Sequence, residues 1–476
     1  MSRDVSGHST FYFVPDFRQE HFIFTCMRNF FNIAPVHDIT LSIIPHLFLI
    51  AREVLLVSMK ILCYNRGKKA GEIMVIGIIG AGASGMAAAL AAAENENVQV
   101  ILFERQARVG RKLQATGNGR CNLSNTNADV SFYHGNAPEF AKTALAAFDV
   151  ENTLQWFESM GLYTVTEDSG RVYPYSDQAN SVVDVLRFAL DKGNINLISG
   201  FEVSKVRKQD HNFQIEGNGE TYVCDKLIIA CGGLAGSKLG GSMSGYQLLR
   251  SFGHRVTKLR PALVQLQSSW KACASLKGVR ANCKASIFHD GQLYSTSAGE
   301  LQFTEYGLSG PVIFEISRDV CQEKGQWTCS LDLLPDMDQS TLLTKLKHRR
   351  DTNLTTDELF TGILHNRLGR VVTQCADIRS GIKIADLDDD ALNRAAYMAK
   401  NLEIDLTEPM GMEHAQVTAG GICTDEFNAA TLESLKVPGL YACGEVLDID
   451  GDCGGFNLQW AWSSGRLAGK CAGGNT

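Results

Sequence analysis

The stretch Val75-Ile76-Gly77-Ile78-Ile79-Gly80-Ala81-Gly82-Ala83-Ser84-Gly85 constrains this chain more than any other feature. It reads as a buried strand running into a glycine-rich turn and then a helix, Ser84–Ala93. Each part has a use in holding a dinucleotide. Gly80 permits the tight turn, and Gly82 lets backbone approach a pyrophosphate. Gly85 lets the helix sit close to the sheet, and the helix N-terminus at Ala83 and Ser84 offers free N–H groups to phosphate oxygens. A second apolar strand, Val98–Phe103, ends in Glu104. That acid lies about twenty residues past the last glycine, where a carboxylate accepts hydrogen bonds from a ribose diol. An ordinary glycine-rich βα turn would explain the glycines but not the acid at that distance.

The 476 residues leave room for about two or three domains. From Met74 to Val256 the pattern is βα, with a helical stretch from Pro138 to Met160, a helix Asn180–Lys192 and a buried strand at Lys226–Ala230. We assign 74–256 to the first part of a dinucleotide-binding domain. Over 257–337 the period becomes two: Ala281–His289 alternates, Asp290-Gly291 makes a hairpin turn, and Leu301–Phe303 continues beyond it. This is an inserted β module. Residues 338–408 form a helical module, with a capping box at Thr355-x-x-Glu358 and acids at Asp388–Asp390 opening a helix. Strand and glycine patterns return over 409–476, the second part of the first domain.

A formal net charge of −7, with 45% hydrophobic and 20% charged residues, is that of a globular protein. It argues against a nucleic-acid groove or an anionic membrane surface as the main partner. The 14 cysteines include no C-x-x-C pair, which speaks against a zinc ribbon or a thioredoxin-type dithiol and fits a reducing cytoplasm. We assign no metal.

Residues 1–73 fit this picture poorly. Ile39–Cys63 has the apolar content of a membrane span, but Pro45 and His46 interrupt it. Arg52 and Glu53 would lie near mid-bilayer, at about 2.5–3.5 kcal/mol for the arginine alone. We therefore expect no stable membrane insertion, and no small-residue cleavage site suggests a secretion signal. Ala70-Gly71-Glu72-Ile73 can be encoded by a purine-rich stretch resembling a ribosome-binding site. Residues 1–73 are thus expected to be upstream sequence, with translation starting at Met74. An intact mass matching all 476 residues would overturn this.

Three features favour FAD over NAD as the bound dinucleotide. Arg105, Arg111 and Lys112 follow Glu104 and can reach the pyrophosphate and ribose of an extended flavin dinucleotide. A second glycine turn, Ala230-Cys231-Gly232-Gly233, closes a strand where the cofactor passes. A third strand ends in Gly444-Glu445, where ribityl and phosphates return to the protein. Gly454, Gly455, Phe456, Asn457 and Leu458 then open a helix through Gly469. Bare glycines allow backbone to approach a planar ring, and the helix N-terminus stabilises negative charge on that ring when reduced. No second complete fingerprint follows, so NAD(P)H, if it supplies electrons, visits the flavin only transiently.

Ala115-Thr116-Gly117-Asn118-Gly119-Arg120-Cys121-Asn122 resembles a motif of the YhiN-like, or BaiN/RdsA, family of NAD(P)/FAD-dependent flavoproteins. So do Gly170–Ser176, Phe303–Pro311, Val417–Gly421, and the segment from Gly444 to Gln459. The resemblance runs from Met74 to the C-terminus. Departures are small: Phe456 stands where tyrosine is frequent, and Leu435 splits a Ser-Lys pair. It implies an α/β fold, a Rossmann-like FAD-binding domain interrupted by a β-barrel-like module and a small helical one. Backbone of Gly117, Asn118 and Gly119 would meet FAD, Arg120 would orient the loop, and Val203 would meet the adenine.

The family includes reductases of conjugated double bonds in 3-oxo-Δ4,6 bile acids of the 7-dehydroxylation pathway, and members assigned as aminoacetone-type amine oxidases. A small-molecule substrate, a steroid carboxylate first among them, is therefore expected. Enone reduction needs a hydride donor, a group that polarises the carbonyl, and an acid. Tyr173 and Tyr306, in two of the motifs, are the candidates for the last two tasks. The more ordinary reading of both is a ring packed at the domain junction with its hydroxyl hydrogen-bonded to backbone. His254 and His414 are read as structural or solvent-facing. An amine oxidase, and a flavin electron carrier or redox sensor with no substrate of its own, are the alternatives. The sequence sets no oligomeric state.

Overall fold

The computed structural model describes residues 73–474. The upstream segment expected before Met74 therefore falls, Ile73 apart, outside the described residues. Strand Met74–Ile79 is apolar on both faces and sits centrally in a five-stranded parallel sheet. The order across the sheet is Leu440–Ala442, Lys226–Ile229, Met74–Ile79, Val98–Glu104, Ile195–Ser199. Near-continuous apolar runs are what a parallel strand covered on both sides requires. One face carries helices Ala83–Ala92 and Phe456–Gly473. These approach closely because Gly465, Gly469 and Gly473 lie against Ser84, Ala88 and Ala92. Against the other face packs a three-stranded antiparallel sheet, Val203–Gln209, Asn212–Gly217 and Glu220–Cys224, whose Ile215 and Cys224 reach Gly77.

The helical stretch expected over 138–160 is broken into Pro138–Phe140, Ala141–Ala147 and Val150–Ser159. Asp149 is the cause: its carboxylate accepts from Asn152 N at 2.9 Å and starts a new helix there.

The inserted region is a six-stranded antiparallel sheet. Its order is Leu266–Gln267, Gly307–Ser309, Gln292–Phe303, Arg280–His289, Trp327–Asp332, Leu402–Leu406. The two end strands nearly close a barrel, since Gln267 N donates to Glu408 O and Thr407 N to Gln267 O, each at 2.9 Å. Asp290 and Gly291 both take positive φ at the expected hairpin turn. Helices Gln339–Lys347, Asn366–Cys375 and Asp389–Lys400 fill the connection between the last two strands. Leu342, Leu368 and Leu392 from those helices join Leu301, Phe303 and Ile404 in one buried cluster. The stretches read as a β module and a helical module thus share a core. Asp388 caps its helix through Ala391 N, while the Thr355/Glu358 capping box closes only a 3-10 turn. Among the described residues no helix is long and apolar enough to cross a membrane.

Candidate active site

A cleft of about 860 Å³ runs along the C-terminal edge of the parallel sheet and on to the barrel wall. Gly80 shapes its floor, with φ +104°; a Cβ there would lie 2.5 Å from Ala230 O. Glu104 ties the floor to the second strand: one carboxylate oxygen accepts from Ala81 N at 2.9 Å, the other from Gln106 N at 2.8 Å. Helices Ala83–Ala92 and Phe456–Gly473 both begin on the cleft. Neither has a capping side chain or an acid in its first turn. Their leading N–H groups are therefore left for a ligand, and both helix dipoles favour negative charge there.

The cations along the cleft are mostly engaged. Lys112 Nζ lies 2.7 Å from Glu445 Oε2, while Glu445 Oε1 accepts from Thr418 N. Arg105 donates to the Gly240 carbonyl and Arg111 to Gln106 Oε1. Asn457 lines the cleft through its backbone, because its amide is used to pin the preceding turn to Gly451 and Asp452. Asn122 does the opposite. Its Oδ1 is buried in the cleft wall beside Gly455 with no hydrogen-bond partner among the described residues. A buried acceptor left unpaired is costly, and an N–H of a bound group would satisfy it.

These features fit an FAD: phosphate-binding helix ends, the acid at the end of the second strand, and an orphan acceptor facing a glycine pair. Every residue expected to hold the cofactor lines the cleft except Gly85, Gly119, Gly444 and Phe456. The first of these sits under the helix, where a Cβ would meet Gly80 O at 1.8 Å. Gly119 is on the exposed outer side of its loop. Gly444 packs against Ser84, and the Phe456 ring stacks on Phe132 in the interior.

Tyr173 lines the cleft under the Arg120 guanidinium, 3.9 Å from its ring centre, and Arg120 is held by Asp177 and Glu167. Burial pushes the Tyr173 phenol above its ordinary value. Tyr306 does not line the cleft; it is 38% exposed and donates to Gln265, which does. His254 is buried, as expected of a structural residue, between Glu426 and Ser434. His414, read with it as structural or solvent-facing, is exposed at the edge of the cleft beside Glu413. The inserted region supplies walls that sequence reasoning did not assign to the site: Gln302 and Ser309 from barrel strands and Phe314 from helix Pro311–Gln322. It also passed over Asn122 and Arg171, although both stand in motifs it had singled out. Among the described residues no cluster of His, Cys, Asp or Glu could hold a metal ion.

A family model described as the HI0933-like protein Rossmann domain matches residues 74–471. The chain belongs to the HI0933-like family. This member is 39% identical over 403 residues to the 3-dehydro-bile acid delta(4,6)-reductase of Clostridium scindens, covering 83% of this chain and 98% of that protein. To the ribosomal RNA dihydrouridine synthase of Escherichia coli it is 33% identical over 390 residues, covering 81% and 95%. Among solved structures, the open form of a flavocytochrome c3 fumarate reductase aligns with a TM-score of 0.42 at 16% identity, covering 87% and 82%. That likeness is too weak to carry an assignment. The E. coli relative leaves the exclusion of nucleic acid without support. Net charge averages over the whole chain, whereas a partner meets a local field, and the HI0933-like cleft is bordered by Arg105, Arg108, Arg111, Arg120, Arg171 and Arg280.

Proposed function

We propose that this HI0933-like protein is an FAD-dependent oxidoreductase that reduces carbon–carbon double bonds conjugated to a carbonyl, with 3-oxo-Δ4,6 bile acids as substrates. The observation that carries the reading is the joining, in one cleft, of two uncapped helix N-termini to a barrel wall, in a chain matching a bile-acid reductase over 98% of that relative's length. FAD, when reduced, supplies the hydride. The remaining work falls to the protein. The first helix and Lys112 hold the pyrophosphate, Glu104 the ribose, and Val203 backbone the adenine. Asn122 accepts from the ring, and the N-terminus of the last helix steadies its charge. Tyr173, a phenol that carries its proton at neutral pH and that burial pushes further above its ordinary value, is the candidate acid for the carbon beside the one that takes hydride. NAD(P)H is the proposed electron source, and the cytoplasm the proposed location.

One anaerobic experiment tests this. Flavin absorbance is followed while NADH or NADPH is added, then a 3-oxo-4,6-dienoic bile acid. Bleaching by the nicotinamide and recovery with the steroid is the expected result. Recovery with uridine-containing ribosomal RNA and not with steroid would transfer the same chemistry to the substrate class of the E. coli relative. Bleaching by an amine instead would replace the reductase with an oxidase, and no response to any substrate would leave an electron carrier.

A further inference from the structure

We propose that Arg171 polarises the carbonyl conjugated to the substrate's double bond and holds the negative charge that forms on its oxygen. This role rests on the enone reduction proposed above. Arg171 lies on strand Arg171–Pro174, the middle strand of a small sheet flanked by Ser124–Asn125 and Thr164–Thr166. Strand alternation sends Arg171 and Tyr173 to the cleft and buries Val172. Neighbours on both sides fix the backbone, so the guanidinium is presented from a rigid element.

Its place is specific. Arg171 Nε lies 3.4 Å from where a Cβ on Gly454 would stand, and the Tyr173 ring 3.5 Å from the corresponding point on Gly117. Gly454 belongs to the turn assigned to the planar ring and Gly117 to the loop whose backbone would meet FAD, so Arg171 stands at the ring's turn with Tyr173 two residues along the same strand. The other cations of the cleft are committed: Lys112 to Glu445, Arg120 to Asp177 and Glu167, Arg280 to Glu300, Arg105 to a carbonyl and Arg111 to an amide. The Arg171 guanidinium makes no hydrogen bond or ion pair with any described residue, its backbone carbonyl accepting from Glu167 N, and none of its nitrogens is buried without a partner, so they face the cleft. Arg108 is similarly unpaired but sits on an exposed loop after the second strand. Asp452, Cys453, Glu315 and Tyr173 are the titratable groups around Arg171.

The chemistry needs such a group. Hydride from the reduced cofactor, which is thereby oxidised, forms a C–H bond at the electron-poor carbon. The π pair moves to the carbonyl oxygen as an enolate, which then takes a proton at the adjacent carbon and collapses back to the ketone. A fixed guanidinium beside that oxygen stabilises the enolate and leaves the neutral ground state little changed.

The test uses the FAD-loaded protein and the Arg171→Met and Arg171→Lys variants. In anaerobic single turnovers, reoxidation of pre-reduced Arg171→Met by the dienone should slow by roughly 10²–10³-fold. Flavin content and reduction by NADH should be unchanged, and Arg171→Lys should recover part of the loss. β-Naphthol, whose naphtholate form mimics the enolate, gives a second readout that a structural role would not move. The wild type should bind it ionised, and the apparent pKa of the bound phenol, read from naphtholate absorbance, should rise by about two to three units in Arg171→Met. Reoxidation within threefold of wild type would overturn the proposal. So would a loss confined to the carboxylated steroid and absent with its neutral amide, which would make Arg171 a carboxylate anchor. Should no enone reoxidise the wild type, the reductase reading fails, while the naphthol titration still decides what Arg171 does.

Discussion

Gly82 and Gly85 stand three residues apart in one turn, and the structure gives them opposite burdens. A Cβ on Gly85 would lie 1.8 Å from Gly80 O, 2.9 Å from Gly80 C and 3.3 Å from the Ala230 Cβ. The helix would have to retreat by roughly 1.5 Å to restore an ordinary contact. Overpacking of this kind costs about 1–3 kcal/mol, and a backbone obstacle places it at the upper end. Alanine's better helix propensity returns about 1 kcal/mol. The net loss for Gly85→Ala is therefore about 2 kcal/mol. With an unfolding entropy near 2.1 cal/mol/K per residue over roughly 400 residues, that lowers Tm by about 2–3 °C. Gly82, in contrast, has φ −80° and nothing within 4 Å of its Cβ position. Gly82→Ala should leave the FAD-free protein within about 1 kcal/mol of wild type, since only a helix N-cap preference changes. Its cost falls on the ligand, because the added methyl occupies the space through which a pyrophosphate approaches. A tenfold or greater rise in the Kd for FAD, at least about 1.4 kcal/mol, is expected. Thermal melts without FAD and fluorescence titrations with it separate the two effects. FAD binding by Gly82→Ala within threefold of wild type, or wild-type stability in Gly85→Ala, would refute this division of labour.

Asn122→Leu removes the unpaired buried acceptor, so the FAD-free protein should be as stable as wild type or more so by about 1 kcal/mol, while FAD affinity falls; denaturant titrations with and without FAD read both signs. Lys112→Met leaves the Glu445 carboxylate without its cation, and FAD affinity should drop about tenfold with a weaker dependence on salt in binding titrations. His254 carries a pH dependence. Burial holds its imidazole below the ordinary value despite the Glu426 carboxylate, so the folded protein takes up that proton less readily than the unfolded chain. As pH falls below about 6.5 the unfolded chain takes a proton that the folded chain resists. Stability contributed above that pH is then lost at up to about 1.4 kcal/mol per pH unit. His254→Gln should flatten this slope, which denaturant midpoints at a series of pH values would show.

What could be read from the residues, and what could not, follows the range of the interactions. The βαβ unit was legible because its parts are local: a strand, a turn whose glycines each face a backbone atom or open space, and an acid at fixed distance. The closing glycine pair before Phe456 was legible for the same reason. The Gly465/Gly469/Gly473 stripe was in plain view at four-residue spacing, and its meaning depended on an alanine-rich partner helix far earlier in the chain. The break at Asp149 was missed because helical periodicity was weighed above a cap signal inside it. Strand Leu402–Leu406 was absorbed into a helical region since its hydrogen-bonding partner, Trp327–Asp332, lies across three intervening helices. At the site, Asn122 and Arg171 sat in motifs already noted. Their importance comes from what they lack, a partner, and only three-dimensional packing reveals that.

The central claim is that one FAD is held between the opening βαβ unit and the turn at Gly454–Leu458. Flavin content of the purified protein, measured by visible absorbance after incubation with FAD and removal of the excess, tests it most directly. The account requires one flavin per chain, lost in the variant Gly82→Ala and retained in Arg171→Met. A colourless protein, or flavin retained equally by all three, would contradict it.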